Sequence, residues 1–199
     1  MNVLLIAGFL GSGKTTAIIG LAQAVREYNL KVAIVVNEIG EIGIDDQVLR
    51  QLDFDVWELL SGCICCSLTG DLLETLDKLD NEYDVDLVIV EPSGAANPQQ
   101  IIDALESHSG ELINSVFTTV IIDPLRLDEL IAILEPLIRS QIELADLIII
   151  SKTDLASPGD IDQAKKTVRG ISGEVRLLTT SLKGGLEPGL EKEMLPWLN

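Results

Sequence analysis

Short apolar runs rich in β-branched residues recur along the chain at 3–7, 31–36, 55–59, 85–90, 116–122, 147–150 and 174–178. Each has strand length, and most are bounded by polar or turn-forming residues. Between them, 15–28, 69–79, 98–106, 127–137 and 158–169 carry helix-compatible spacing, several opening on Ser, Thr, Asp or Pro. Strand-like and helix-like segments in alternation predict an α/β fold with a mostly parallel central sheet flanked by helices.

The size of the chain limits how many such units it holds. With 199 residues, 47% of them hydrophobic, it can bury one substantial core and is short for two ordinary domains. A single domain over 1–199 is the expectation. No repeat, low-complexity tract or Gly/Ser linker interrupts it, and Gly184-Gly185 reads as a turn. The apolar runs break well before the roughly 20 residues of a membrane-spanning helix, and Met1-Asn2 supplies no basic region ahead of the first run. The expected location is cytoplasmic, with no membrane partner. Thirty-two acidic residues against 14 basic give a formal charge of −18, which repels phosphate backbones and argues against nucleic acid. The same excess attracts divalent cations weakly, but its first reading is solubility.

Residues 8–15, GFLGSGKT, match the phosphate-loop pattern GxxxxGK[ST]. The pattern has a physical basis. Gly8, Gly11 and Gly13 let successive backbone N–H groups face an anion, and the Ser12 and Thr16 positions complete the cradle. Lys14 adds a charge at the β and γ oxygens, and the Thr15 hydroxyl can bind magnesium. A strand-like VLLIA precedes the loop and an amphipathic TTAIIGLAQAV follows it, so the loop has the strand and helix that the chemistry needs.

Two later strand ends carry further candidates. At Glu91-Pro92-Ser93-Gly94, the Glu91 carboxylate can reach magnesium through a water and the Gly94 amide can touch a γ-phosphate; Glu-Pro is also an ordinary exit from a sheet. At Ser151-Lys152-Thr153-Asp154, Asp154 can accept the paired N–H donors of a guanine edge while the Lys152 stem packs over the base; a helix-capping Asp is the alternative. Ser181, in the loop after the last strand, is placed to contribute base contacts. Lys14 and Glu91 are the candidate catalytic residues.

All three cysteines, Cys63, Cys65 and Cys66, fall within four positions, a poor disulfide framework that reads as a thiolate site for zinc or a similar ion. Three buried thiols acting as small hydrophobes are the alternative. Residues 37–46, NEIGEIGIDD, combine glycines with carboxylates, Glu38 and Glu41 among them, as a nucleotide-sensing switch with metal ligands would or as a solvated acidic loop would. His108 lies in ESHSG near a helix end and reads as capping or exposed.

In their order along the chain, GFLGSGKTT, NEIGEIGIDD, ELLSGCICCSLTGDL, EPSGAANP and SKTDL resemble the CobW-like metallochaperone GTPases of cobalamin synthesis, relatives of the urease and hydrogenase maturation GTPases. The resemblance covers nearly the whole chain, and GCICC is its most specific part. It implies a SIMIBI-type P-loop domain binding GTP and Mg2+ at residues 8–16, with Glu91 and Gly94 as the second switch and Lys152 and Asp154 reading guanine. It also implies zinc or cobalt at Cys63, Cys65 and Cys66. Ser151 stands where the family usually has asparagine, and the C-terminal domain and histidine-rich stretch of many CobW-like proteins have no counterpart in the chain, which reads as a stand-alone GTPase core or as a truncated piece of a longer protein.

The combined expectation is a slow GTPase in which GTP and magnesium order 38–46 and the Glu91 loop, complete a metal site at the cysteines, and release it on hydrolysis. The partner that the resemblance implies is a client metalloprotein or corrinoid-related enzyme, with a nucleotide-dependent homodimer as one way to complete the site. A P-loop kinase of a small metabolite and a redox-sensing nucleotide-binding module are the rivals.

Overall fold

The computed structural model describes residues 1–36, 55–58, 68–92, 94, 98–107 and 112–198, with the backbone alone for 55–58, 68 and 69. Among the described residues seven strands form one sheet: β1 (Asn2–Ala7), β2 (Val32–Val36), β3 (Asp55–Glu58), β4 (Leu87–Glu91), β5 (Ser115–Ile122), β6 (Leu147–Ile150) and β7 (Arg176–Thr179). Their order across the sheet is β3-β2-β4-β1-β5-β6-β7. Every pairing is parallel, with Leu4 opposite Ile89 on one side of β1 and Phe117 on the other. Among the described residues the helices are α1 (Lys14–Val25), α2 (Leu68–Lys78), α3 (Pro98–Ser107), α4 (Leu127–Glu143), α5 (Pro158–Ser172) and α6 (Leu190–Met194).

Successive side chains of a strand point to opposite faces, and β1 divides its residues accordingly. Leu4 and Ile6 pack with Ile18 and Leu21 of α1 and with Met194 and Leu195 at the C-terminal side. Val3 and Leu5 pack on the other face with Leu72 and Leu76 of α2 and Ile101 and Leu105 of α3. A third cluster joins Val120, Ile122, Ile148 and Ile150 to α4 and α5 through Leu127, Ile142, Ala164 and Val168. Burial on both faces explains the nearly unbroken apolar runs. Each fully buried Leu or Ile contributes about 1.5–3 kcal/mol.

Strand β1 also marks the point where the topology reverses. The chain passes from β1 to β2, β3 and β4 on one side and then crosses to β5, β6 and β7 on the other. In an open parallel sheet the crevice beyond the C-terminal end of such a strand is the natural ligand position. Residues 8–13 leave β1 there and lead directly into α1.

The helix ends differ from the sequence expectation. The helix beginning at Lys14 ends as an α-helix at Val25 and tightens into a 3-10 turn at Arg26–Tyr28, while α2 passes into a π-helical turn at Leu79–Tyr83. Helix α4 continues to Glu143, beyond the expected end at 137, across a kink where Leu134 has φ −131 and ψ 35. Pro136 sits just after the break, in the first turn of the second half, where its missing N–H costs little. Ser157 and Asp160 form a full capping box at the start of α5, and Pro158 occupies its first turn. Among the described residues no helix is long and apolar enough to cross a membrane.

Candidate functional site

The loop after β1 takes the shape that its glycines allow. Gly8, Gly11 and Gly13 have φ of 137, 77 and 107, positive values that residues with side chains rarely adopt. A Cβ on Gly8 would lie 2.3 Å from the Ile121 carbonyl oxygen, so β5 requires glycine there on steric grounds as well. The Ser12 amide donates to the Phe9 carbonyl at 3.1 Å and closes the turn. Gly13 caps α1 without a side-chain partner, so the first amides of α1 face outward with the positive end of the helix dipole behind them.

Lys14 and Glu91 come together at this loop, with Nζ 3.6 Å from Oε1 and side chains only 7% and 16% exposed. Glu91 reaches it from the end of β4, the strand beside β1. Gly94 packs so closely that a Cβ there would lie 2.8 Å from the Leu10 nitrogen and 3.3 Å from the Phe9 carbonyl carbon. Its carbonyl accepts from Gln141 Nε2 at 3.4 Å. Thr15 is half-buried and Thr16 exposed beside Lys14.

On the opposite side of the loop, the segment after β6 closes a second wall. The buried Ser151 hydroxyl lies 2.7 Å from the Ser12 carbonyl and 3.0 Å from that of Ile122. Having one proton, it serves the shorter contact best. Lys152 adopts a left-handed φ of 54, and its ammonium donates to Asp123 Oδ2 at 2.7 Å. Asp154 Oδ1 accepts from Ser181 Oγ at 2.7 Å, and Lys183 Nζ stands 4.0 Å from Oδ2. Ser12, Gly13, Thr16, Lys152, Asp154 and Lys183 line a cleft of about 240 Å³, somewhat below the ~300–1,000 Å³ of whole-ligand pockets. That volume suits the base and sugar end of a larger ligand whose anionic end lies along the loop.

The donor set fits a nucleoside triphosphate. The loop presents glycine amides and a buried Lys14 ammonium, and Ser12 Oγ is buried with no hydrogen-bond partner among the described residues. Thr15 and Glu91 supply hard oxygen donors of the kind magnesium takes. Among the described residues no three His, Cys, Asp or Glu side chains converge on a metal position. Cys63, Cys65, Cys66, Glu38, Glu41 and His108 lie outside the described residues.

Sequence reasoning missed Asp123, Arg126 and Gln141, which touch Lys152, the phosphate loop and Gly94 respectively. Asp123 had a usable signal, being the polar residue that ends the apolar run of β5. Arg126 and Gln141 belong to no motif and act through contacts distant in sequence.

A family model for the CobW/HypB/UreG nucleotide-binding domain matches residues 2–179. The chain belongs to the CobW/HypB/UreG family. This CobW/HypB/UreG domain is 40% identical over 156 residues to the zinc chaperone YeiR of Escherichia coli K12, covering 77% of the chain and 47% of that protein. It is 32% identical over 197 residues to the zinc chaperone YjiA of the same organism, covering 94% of the chain and 59% of that protein. The chain thus spans about half the length of the curated relatives it matches. Among solved structures, Zn(II)-bound YjiA GTPase superposes with a TM-score of 0.69 at 25% identity, over 98% of this chain and 61% of that one. The hydrogenase maturation factor HypB of Archaeoglobus fulgidus gives 0.71 at 20% identity over 99% and 88%, a likeness of fold.

Proposed function

We propose that this chain hydrolyses GTP with magnesium and couples its nucleotide state to the handling of zinc or cobalt at Cys63, Cys65 and Cys66. The observation that carries the reading is the cleft in which Asp154, one oxygen held by Ser181 at 2.7 Å, faces Ser12 and Gly13 of the phosphate loop. A carboxylate so fixed accepts the adjacent N1–H and N2–H donors of guanine, which adenine lacks.

The residues divide the work by position. The amides of Gly11, Gly13 and Lys14 bind the phosphates and orient them, and the Lys14 ammonium stabilises charge that develops on the γ oxygens. Thr15 and Glu91 would hold magnesium, which when bound would neutralise phosphate charge. Gly94, against the backbone of Phe9 and Leu10, reports the presence of a third phosphate to the segment that follows it. Glu38 and Glu41 are the further metal ligands of this reading. Among the described residues no side chain at the site is a ready general base, so turnover is slow until a client metalloprotein, a corrinoid-related enzyme or a second copy of the chain completes the site.

The likeness to proteins named zinc chaperones favours zinc as cargo. Nucleotide gating requires only about 1–3 kcal/mol of difference in metal affinity between nucleotide states. The test is titration of zinc and cobalt(II) into wild-type protein and the Cys63, Cys65, Cys66 to Ser variant, each with GDP or a non-hydrolysable GTP analogue. Tighter, cysteine-dependent binding in the triphosphate state alone is expected. Equal affinity in both states, or binding that survives the serines, overturns the gating.

A further inference from the structure

The turn between β5 and α4 places one guanidinium against three consecutive residues of the phosphate loop. Arg126 Nη1 donates to the Leu10 carbonyl at 3.0 Å. Its guanidinium carbon lies 5.7 Å from the centroid of the Phe9 ring, a cation–π distance. The same nitrogen is 3.7 Å from the position a Cβ would take on Gly11. In a chain with a formal charge of −18, this brings a permanent cation to the outer wall of an anion site.

The consequence follows from peptide geometry. The C=O and N–H of one planar trans peptide point in opposite directions. A clamp that holds the Leu10 carbonyl outward therefore turns the Gly11 N–H inward. Ser151 does the same to the next peptide but one: by holding the Ser12 carbonyl at 2.7 Å, it turns the Gly13 N–H inward. The two clamps act at different ends of the loop. Ser12 and Gly13 line the base-side cleft, whereas Leu10 and Phe9 are the residues on which Gly94 packs, at the end read above as sensing the third phosphate.

We propose that Arg126 is a positioning residue of the phosphate loop that favours the triphosphate over the diphosphate, by fixing the Gly11 amide inward and placing a positive charge beside it. Arginine suits the role because its planar fork donates to a carbonyl while its face lies on an aromatic ring, and it stays charged at any physiological pH. The inference rests on the reading of the site as a GTP site.

The experiment compares wild type, Arg126→Ala, Arg126→Lys and Ser151→Ala, each titrated with fluorescent GDP and with a fluorescent non-hydrolysable GTP analogue plus magnesium. Arg126→Ala is expected to lower triphosphate affinity about tenfold, the effect of one charge-assisted hydrogen bond, and to leave diphosphate affinity within about twofold. Arg126→Lys recovers part of the loss because it keeps the charge. Ser151→Ala lowers both affinities together. Diphosphate binding by Arg126→Ala also shows that the variant folds. An unchanged triphosphate-to-diphosphate ratio in Arg126→Ala overturns the proposal. If wild type binds neither nucleotide, it is the GTP reading itself that fails.

Discussion

The Ser151 hydroxyl donates to the Ser12 carbonyl at 2.7 Å, tying the end of β6 to the middle of the phosphate loop. Both residues are buried, at 1% and 3% exposure. The hydroxyl thereby does a job that needs only one short donor. Its removal leaves the Ser12 carbonyl buried without that partner, which costs about 1–3 kcal/mol. Ser151→Ala should accordingly weaken GDP and GTP binding in parallel, and Ser151→Asn, whose amide can also donate, should restore them. Calorimetric titration of both variants checks this; wild-type affinity in Ser151→Ala shows that the tie does not support the loop.

Guanine preference should reside in Asp154. Its carboxylate offers acceptors alone, matching the two donors of guanine, and Ser181 already fixes one oxygen at 2.7 Å. Asparagine at the same place offers one acceptor and one donor, which matches the N1–H and C2 carbonyl of xanthine. Asp154→Asn is expected to lose roughly a hundredfold or more in GTP affinity and to gain xanthosine triphosphate. Competition binding with the two nucleotides measures the exchange. Equal loss of both would mean that the carboxylate supports the loop and does not read the base.

The segments that carry these predictions differ in how legible they were from sequence. The phosphate loop was readable because its chemistry demands glycine at fixed positions, and Gly8, Gly11 and Gly13 do adopt positive φ. The strands were readable because burial on both faces leaves runs such as Leu147–Ile150 wholly apolar. The order β3-β2-β4-β1-β5-β6-β7 was not, since a local pattern does not say which strands become neighbours. Helix α6 has only five residues, too few for a helical period to emerge. The kink at Leu134 lets α4 outrun Pro136, where local rules favour a stop. Arg126 and Gln141 were invisible because their partners, Leu10 and Gly94, lie 116 and 47 residues away.

Gly94 supplies a steric prediction. A Cβ at this position would stand 2.8 Å from the Leu10 nitrogen and 3.3 Å from the Phe9 carbonyl carbon, and both are backbone atoms with little freedom to yield. Gly94→Ala must push the two loops apart, at a cost of about 1–3 kcal/mol typical of overpacking. GTP hydrolysis should fall at least about tenfold while GDP affinity stays near wild type. Steady-state phosphate release and GDP titration separate the two effects. A variant that hydrolyses GTP normally would remove Gly94 from the sensing role.

The capping box of α5 gives a pH dependence with a definite sign. The Ser157 hydroxyl and backbone N–H both donate to Asp160 Oδ2, at 2.7 and 2.9 Å, and the hydroxyl contact is the larger cause holding the Asp160 carboxyl below its ordinary value. In the unfolded chain those donors are gone and the ordinary value returns. The stabilisation is therefore fully present above the unfolded pKa and is lost as pH falls through the folded one. Asp84, lowered first by its hydrogen bond from Lys31 and then by that charge, follows the same sign. The difference in melting temperature between wild type and Asp160→Ala should be positive at neutral pH and shrink as the carboxylate protonates. Thermal scans of both proteins across the acid range measure it, and a gap that stays constant would mean that Asp160 acts through contacts that do not depend on its charge.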